Sequence, residues 1–137
     1  MHDVSDKAKD LSLYRWQRAN EDYNSSQSNL QAGDLRTATN RAYYAIFHAL
    51  RAILALDEFD TKKHSGIISE FRHRYVKTGI FSSSVSDIIG DAFEVRNKSD
   101  YEDMFIVSRD MAEKQVRDAG TVINAVSDYL KSENVIK

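Results

Sequence analysis

Residues 40–56 read NRAYYAIFHALRAILAL, and this stretch decides the fold. At 3.6 residues per turn, its apolar side chains nearly surround the axis of a helix instead of keeping to one face. A helix of that kind is stable only when other helices cover it. Asp34, just upstream, is well placed to cap its first turn. We therefore predict a central, buried helix from about residue 34 to residue 56.

The preceding segment, residues 5–32, has the period of another helix. Its apolar residues recur at steps of three, four and seven on one stripe: Trp16, Ala19, Tyr23 and Leu30. Gly33 predicts the end of this helix, because glycine readily adopts the left-handed conformation found there. Downstream of the central helix, a third and shorter helix is predicted from Ile67, Ile68, Phe71 and Tyr75, ending at Gly79.

Two more helices are predicted in the second half of the chain. Ser84 and Asp87 resemble a capping box for the fourth, which reaches about Lys98 before a polar interruption, KSDYEDM. The fifth begins near Ser108 and has the clearest period, at steps of four and three: Ala112, Val116, Ala119, Ile123, Val126 and Leu130. Short connections place consecutive helices side by side. The predicted fold class is all-α, an antiparallel up-and-down four-helix bundle with one additional short helix.

The composition narrows the class of protein. A chain of 137 residues corresponds to one domain, predicted to span residues 1–137, and the absence of proline permits long helices. The absence of cysteine excludes disulfides and thiolate chemistry, which makes the reducing cytoplasm the expected compartment. No apolar stretch is long enough for a membrane span, so no membrane association is expected. A net charge of −2 means that any contact with RNA requires a local basic patch.

Four polar residues of the central helix, spaced three, four and three apart, share one face: Arg41, Tyr44, His48 and Arg51. Two interpretations are open. The face meets solvent or pairs with acidic residues of a neighbouring helix. Alternatively, it forms the wall of a cleft, where two guanidiniums, a phenol and an imidazole suit an anionic ligand such as a phosphate.

Residues 61–79 carry the one basic patch of the sequence. Against the single acid Glu70 stand five cations and two histidines: Lys62, Lys63, Arg72, Arg74 and Lys77, with His64 and His73. Clustered cations attract the phosphates of RNA, but a short run of charges is equally typical of a solvated face. Both interpretations remain open at this point.

The segment EVRNKSDYED, residues 94–103, collects polar side chains near the predicted end of the fourth helix. It contains Arg96, Asn97, Asp100 and Tyr101, followed by two further acids. This density indicates a candidate site, although a capped and solvated helix end has the same composition. Its acids match no metal-binding loop, and the common nucleotide, zinc-protease and hydrolase motifs are absent from the sequence. We predict neither a metal nor a cofactor.

Three segments in this order resemble the HEPN superfamily, the higher eukaryote and prokaryote nucleotide-binding domain: NRAYYAIFHALRAIL, KHSGIISEFRHRYVKTG and EVRNKSDYED. The resemblance covers about residues 16–130 and is greatest to small, free-standing prokaryotic members. It implies a helical bundle that forms a homodimer. It also implies a toxin-antitoxin pair in which the partner is a nucleotidyltransferase antitoxin.

Active members of that superfamily cut RNA without a metal, through an arginine, often followed by a polar residue, and a histidine four to six residues further on. Arg96 and Asn97 resemble the first half of this motif. Tyr101 stands at the first position expected for the histidine, and no histidine follows His73. The departure matters because imidazole, with a pKa of about 6.5, exchanges protons near neutral pH, whereas a phenol, near 10, is a poor base.

The resemblance therefore implies two alternative functions. The first is a toxin that cleaves RNA, in which Arg96 binds phosphate, its neighbours in the segment shape the site, and His64 or His48 supplies the imidazole. The second is a non-catalytic module that binds nucleotide or the nucleotidyltransferase. In both, the predicted ligand contacts are Arg41, Tyr44, His48, Arg51 and His64. Tyr101 is also a candidate acceptor for nucleotides transferred by the partner.

Overall fold

Helix α2, Leu35–Ala55, runs through the centre of the computed structural model, which describes residues 4–137. The other helices are α1, Asp6–Ala32; α3, His64–Phe71; α4, Ser83–Tyr101; and α5, Arg109–Ser132. A π-helical turn, Arg72–Val76, extends α3. No strand occurs in this part of the chain. The all-α prediction is confirmed: α1, α2, α4 and α5 form an up-and-down bundle, and α3 is the additional short helix.

The predicted central position of α2 is confirmed, since it contacts α1, α3, α4 and α5. Of its 21 residues 13 are buried, and Leu50, Ile53 and Leu54 have no exposed surface at all. Helix α5 buries its whole predicted stripe, from Ala112 to Leu130, and all of it except Ala112 packs in the same core. Burial of these side chains is the main favourable contribution to folding.

Three of the predicted helix boundaries are confirmed by hydrogen bonds. Gly33 ends α1 in the left-handed conformation, with φ of 83°. Asp34 then caps α2 by accepting a hydrogen bond from the backbone N–H of Thr37. Ser108 caps α5 in the same way, through the N–H of Met111. Each cap supplies a partner for a backbone donor that the first turn of a helix leaves unpaired.

The predicted bounds of α4 were wrong at both ends. Ser82, not Ser84, is the N-cap, because its hydroxyl accepts from the N–H of Val85. The helix continues through the expected interruption as far as Tyr101. Tertiary contacts explain the extra turn: the guanidinium of Arg36 on α2 donates to both the carbonyl and the hydroxyl of Ser99. An isolated polar sequence has no such partner.

None of the helices in residues 4–137 combines the length and the apolar composition needed to cross a membrane.

Candidate functional site

Arg96 lies at the centre of a group of aromatic and polar side chains where α4 meets α2. Its guanidinium carbon is 5.4 Å from the ring centre of Tyr43, 5.8 Å from that of Tyr44 and 5.7 Å from that of Tyr101. One terminal nitrogen donates to the Tyr44 hydroxyl at 3.2 Å. Cations favour the faces of aromatic rings, so these contacts hold the guanidinium in one position. We call this group the Arg96 cluster.

The polar neighbours of Arg96 come from the last turns of α4. Its Nε lies 2.9 Å from a carboxylate oxygen of Asp100, four residues further on, but without hydrogen-bond alignment. Its other terminal nitrogen donates to the side chain of Asn97 at 3.4 Å. The structure thus brings together all four residues predicted in this segment, since Tyr101 contributes its ring. The extension of α4 to Tyr101 is what makes this grouping possible, because it places residues 96, 100 and 101 on consecutive turns.

Arg96 is shielded but not enclosed. Its side chain is 15% exposed, that of Asp100 is 30% exposed, and Tyr101 is 73% exposed. Burial acts to lower the pKa of Arg96, but the phenols and Asp100 outweigh it and leave the pKa above its ordinary value. A fixed positive charge therefore lies just beneath the surface at the end of α4.

His64, the first residue of α3, belongs to the same aromatic surroundings. Its ring stacks on Phe47 with 4.1 Å between ring centres, and its Nδ1 is 2.8 Å from the Tyr43 hydroxyl. Tyr43 thus contacts His64 with its hydroxyl and Arg96 with its ring. Burial, then the charge of Arg96 and that of Arg51, lower the pKa of His64, which favours the neutral imidazole.

The predicted polar stripe of α2 is divided among different partners. Arg41 and His48 both turn to Asp22 of α1, at 3.0 Å and 3.6 Å respectively. Tyr44 belongs to the Arg96 cluster. The structure agrees with the first interpretation for Arg41 and His48, because both contact an acid on a neighbouring helix. The stripe is therefore not one continuous cleft wall.

His48 is the most perturbed titratable group of that stripe. Burial is the main cause and lowers its pKa to about 4, although the carboxylate of Asp22 acts in the opposite direction. Its Nδ1 and one oxygen of Asp22 are buried without a hydrogen-bond partner. A neutral imidazole next to a buried carboxylate is a structural arrangement inside the bundle, well covered from solvent.

Arg51, the last residue of the stripe, pairs with Asp60 in the loop before α3. Its Nε and one terminal nitrogen donate to the two carboxylate oxygens at 3.3 Å and 3.0 Å. Arg15 of α1 donates to the same carboxylate at 3.2 Å. Burial would raise the pKa of Asp60, but its two arginine partners lower it below its ordinary value.

The basic patch of residues 61–79 does not form one surface. Arg72 donates to the side chain and carbonyl of Ser86 on α4. Arg74 pairs with Glu70 and Asp57. His73, Arg74 and Lys77 line a cavity of about 910 Å³ at the C-terminal ends of α2 and α5. Lys62 and His64 line a different cavity, together with Arg51.

Three residues of these networks were missed in the sequence: Asp22, Tyr43 and Asp60. A signal for Asp22 existed, because it continues the buried face of α1, which includes Ser12, Arg15 and Ala19 at helical spacing. Several residues of that buried face are polar, so a search for apolar periodicity alone does not detect it. Nothing local marked Tyr43 or Asp60, whose partners lie 21 and 9 residues away in sequence.

Within residues 4–137, no group of three histidine, aspartate or glutamate side chains is arranged to hold a metal ion. Two acids of the α4 segment are partners of cations on the same helix: Asp100 pairs with Arg96, and Glu94 pairs with Lys98. The geometry therefore offers cationic and aromatic contacts for an anion.

Comparison with known proteins identifies the family of this chain. The family model of the HEPN domain matches residues 12–129, which include α2, α3, α4 and most of α5. The chain belongs to the HEPN domain family. The resemblance carried by its three sequence segments is thereby confirmed.

Relatives of this HEPN domain occur in archaea and bacteria. It is 29% identical to a Methanocaldococcus jannaschii protein named "Putative toxin", over 73% of this chain and 68% of the relative. It is 27% identical to a UPF0332 protein of Thermotoga maritima, over 93% of this chain and 96% of the relative. A UPF0332 protein of Archaeoglobus fulgidus is 32% identical over 69% of this chain and 74% of its own length.

Proposed function

We propose that this HEPN domain is a toxin-type protein that acts on RNA, with Arg96 as the phosphate-binding group. The observation that carries the proposal is the Arg96 cluster, a charged guanidinium fixed by rings and Asp100 in the segment that resembles the superfamily's motif. The name of the Methanocaldococcus jannaschii relative supports the toxin assignment. A cytoplasmic location follows from RNA as the target.

The proposed reaction is metal-independent cleavage. The ribose 2′-oxygen loses its proton and attacks the phosphorus, the bond from phosphorus to the 5′-oxygen breaks, and that oxygen takes up a proton. A cyclic phosphate and a free 5′-hydroxyl result. Arg96 stabilises the negative charge that develops on the phosphate, with Asn97, Asp100 and Tyr44 holding the guanidinium in place.

His64 is the better candidate for the missing imidazole. It is joined to the Arg96 cluster through Tyr43, and its Nε2 has no hydrogen-bond partner within residues 4–137. The hydrogen bond to Tyr43 fits both neutral tautomers, one of which leaves Nε2 as a proton acceptor. His48 is less suitable, because it adjoins Asp22 and has a pKa lowered to about 4.

We extend the proposal to a homodimer and to a nucleotidyltransferase antitoxin. The end of α4 and the loop after it expose three large apolar side chains within six residues of sequence: Tyr101, Met104 and Ile106. Exposed apolar groups so close together are typical of a surface that another protein covers. The exposed hydroxyl of Tyr101 is also accessible to a modifying partner.

A non-catalytic binding module is the second candidate function. It is favoured by the tyrosine at position 101, where the resemblance expects a histidine. In that case the Arg96 cluster binds nucleotide, RNA or the partner without proton transfer.

One RNA assay tests the proposal and separates the two candidates. Purified protein incubated with RNA in EDTA should cleave it, and Arg96→Ala should slow cleavage by about 10² to 10³, the usual cost of removing one such donor. Arg109→Ala is the matched control, because that exposed arginine pairs only with Glu113. Binding without cleavage would establish the module instead, and equal loss in both variants would exclude a site at Arg96.

The same assay tests the two histidines. His64→Asn should lower the rate by about 10² or more, the typical contribution of a general acid or base, whereas His48→Asn should have a much smaller effect. Asparagine preserves a hydrogen bond to Tyr43 but cannot transfer a proton near neutral pH. Unchanged cleavage in His64→Asn would remove that residue from the mechanism.

The acceptor role of Tyr101 is tested by intact mass. When the tyrosine oxygen attacks the α-phosphorus of ATP, pyrophosphate leaves and the protein gains a nucleotide. We expect this gain after incubation with an adjacently encoded nucleotidyltransferase and ATP, and its loss in Tyr101→Phe. Tyr14→Phe, at another exposed tyrosine, should still be modified. A mass unchanged in the wild-type protein would contradict the role.

A further inference from the structure

A cavity of about 270 Å³ lies between the second half of α2 and the loop that leads into α3. It is lined by six residues: Phe47, Arg51, Asp60, Thr61, Lys62 and His64. The His64 ring, stacked on Phe47 and hydrogen-bonded to Tyr43, separates this cavity from the Arg96 cluster. We call it the α2–α3 cavity.

Positive charge exceeds negative charge around the α2–α3 cavity. Asp60 is the one acid that lines it, and that carboxylate is already shared between Arg51 and Arg15. Arg51 and Lys62 are the two cations that line the cavity, so one positive charge remains after Asp60 is balanced, and Arg15 neutralises the same carboxylate from outside the lining. This positive excess attracts a phosphate monoester, whose charge is about −1.5 to −2 at neutral pH.

The cavity also presents hydrogen-bond donors that have no protein partner. The second terminal nitrogen of Arg51 and the ammonium of Lys62 make no hydrogen bond to any residue from 4 to 137. A guanidinium and an ammonium next to one cavity are the groups that proteins commonly use for phosphate.

Rigid surroundings favour binding at this place. Phe47 is buried beneath His64, and the guanidinium carbon of Arg51 lies 5.9 Å from the centre of the Phe47 ring. Asp60 holds Arg51 from the other side through two hydrogen bonds. Because both cavity-lining rings and the arginine are already fixed, little conformational entropy is lost when an anion binds.

We propose that the α2–α3 cavity binds a phosphate monoester, carried by a mononucleotide or by the end of an RNA chain. The inference rests on the proposed RNA-directed function for the source of this phosphate, and it adds a second anion site next to the Arg96 cluster. Arg51 and Lys62 contact the phosphate oxygens.

Calorimetric titration of the full chain with AMP and with adenosine tests this site. AMP should bind and adenosine should not. Lys62→Met should weaken AMP binding by about tenfold, the usual effect of losing a hydrogen bond to a charged group. Lys63→Met is the matched control: it removes the same charge from the next residue, which is exposed and does not line the cavity. Arg51→Gln should weaken binding as well.

Absent binding of AMP, or an equal loss in Lys62→Met and Lys63→Met, would overturn the proposal, because either result means that no localised site exists. Short RNAs with and without a 5′-phosphate identify the source: preference for the phosphorylated RNA over AMP indicates an RNA end, and the reverse indicates a free nucleotide. Arg96→Ala should retain AMP binding. The two proposals can therefore fail independently: absence of RNA cleavage does not contradict the AMP site, and absence of AMP binding does not contradict the cleavage proposal.

Discussion

Lowering the pH from 7 to 4 should reduce the free energy of unfolding by about 3 kcal/mol through His48 alone, on the basis of a pKa near 4 in the folded protein. Burial is the main cause of that value, and the charges of Arg18, Arg51 and Arg41 add to it. Asp22 opposes the shift without cancelling it.

The sign of this effect follows from which state, folded or unfolded, binds the proton more readily. Below a pH of about 6.5 the unfolded chain protonates this imidazole, whereas the folded protein does so only near pH 4. Throughout that window the unfolded state binds more protons, so stability is lost as the pH falls. Above it, His48 is neutral in both states and contributes no pH dependence.

Urea denaturation of the wild-type protein and of His48→Gln at several pH values between 7 and 4 measures the effect. Glutamine has a similar length and does not titrate, so the carboxylates contribute equally to both curves. The difference in the free energy of unfolding between the two proteins should change by about 3 kcal/mol across this range, in favour of the variant at low pH. A constant difference would mean that folding does not perturb His48.

Leu50→Ala should lower the free energy of unfolding by about 2 to 5 kcal/mol, the cost of lost burial plus a cavity at a site that cannot collapse. Leu50 has no exposed surface and lies in the middle of α2, which is in contact with every other helix. Few single substitutions in this chain should cost more.

Chemical denaturation measures this loss. The control is Leu11→Ala, which makes the same substitution at an exposed leucine and so separates the effect of burial from that of residue type. Both leucines are helical, but Leu11 is 42% exposed on α1, so its substitution should cost much less, about 0.5 to 1 kcal/mol. A loss for Leu50→Ala as small as that for Leu11→Ala would contradict the central position of α2.

The helices themselves could be predicted because their signals are local. The stripe from Ala112 to Leu130 and the caps at Asp34 and Ser108 depend on spacing within a few residues, and all are confirmed. The start of α4 was wrong because Ser82 and Ser84 are both suitable caps. Its end was wrong because Arg36, 63 residues away, stabilises the last turn.

The candidate site was predicted less completely. Arg96, Asn97, Asp100 and Tyr101 were correctly grouped, since they lie within two turns of one helix. Their roles in binding or catalysis remain predictions. The partition of the α2 stripe could not be foreseen, because Asp22 and Asp60 come from other segments and nothing local shows which cation each acid meets.

By itself, the sequence determined that this chain is a helical bundle around residues 40–56, and that its most distinctive polar segment contains Arg96. Apolar periodicity and caps are properties of neighbouring residues, so they can be read before the chain folds. Only the tertiary structure decided that Asp22 contacts Arg41 and His48. It also decided that Arg51 and His64 line a common cavity. Those pairings depend on how α1, α2 and the loop before α3 pack, because an ion pair needs two groups within a few ångströms whatever their separation in sequence.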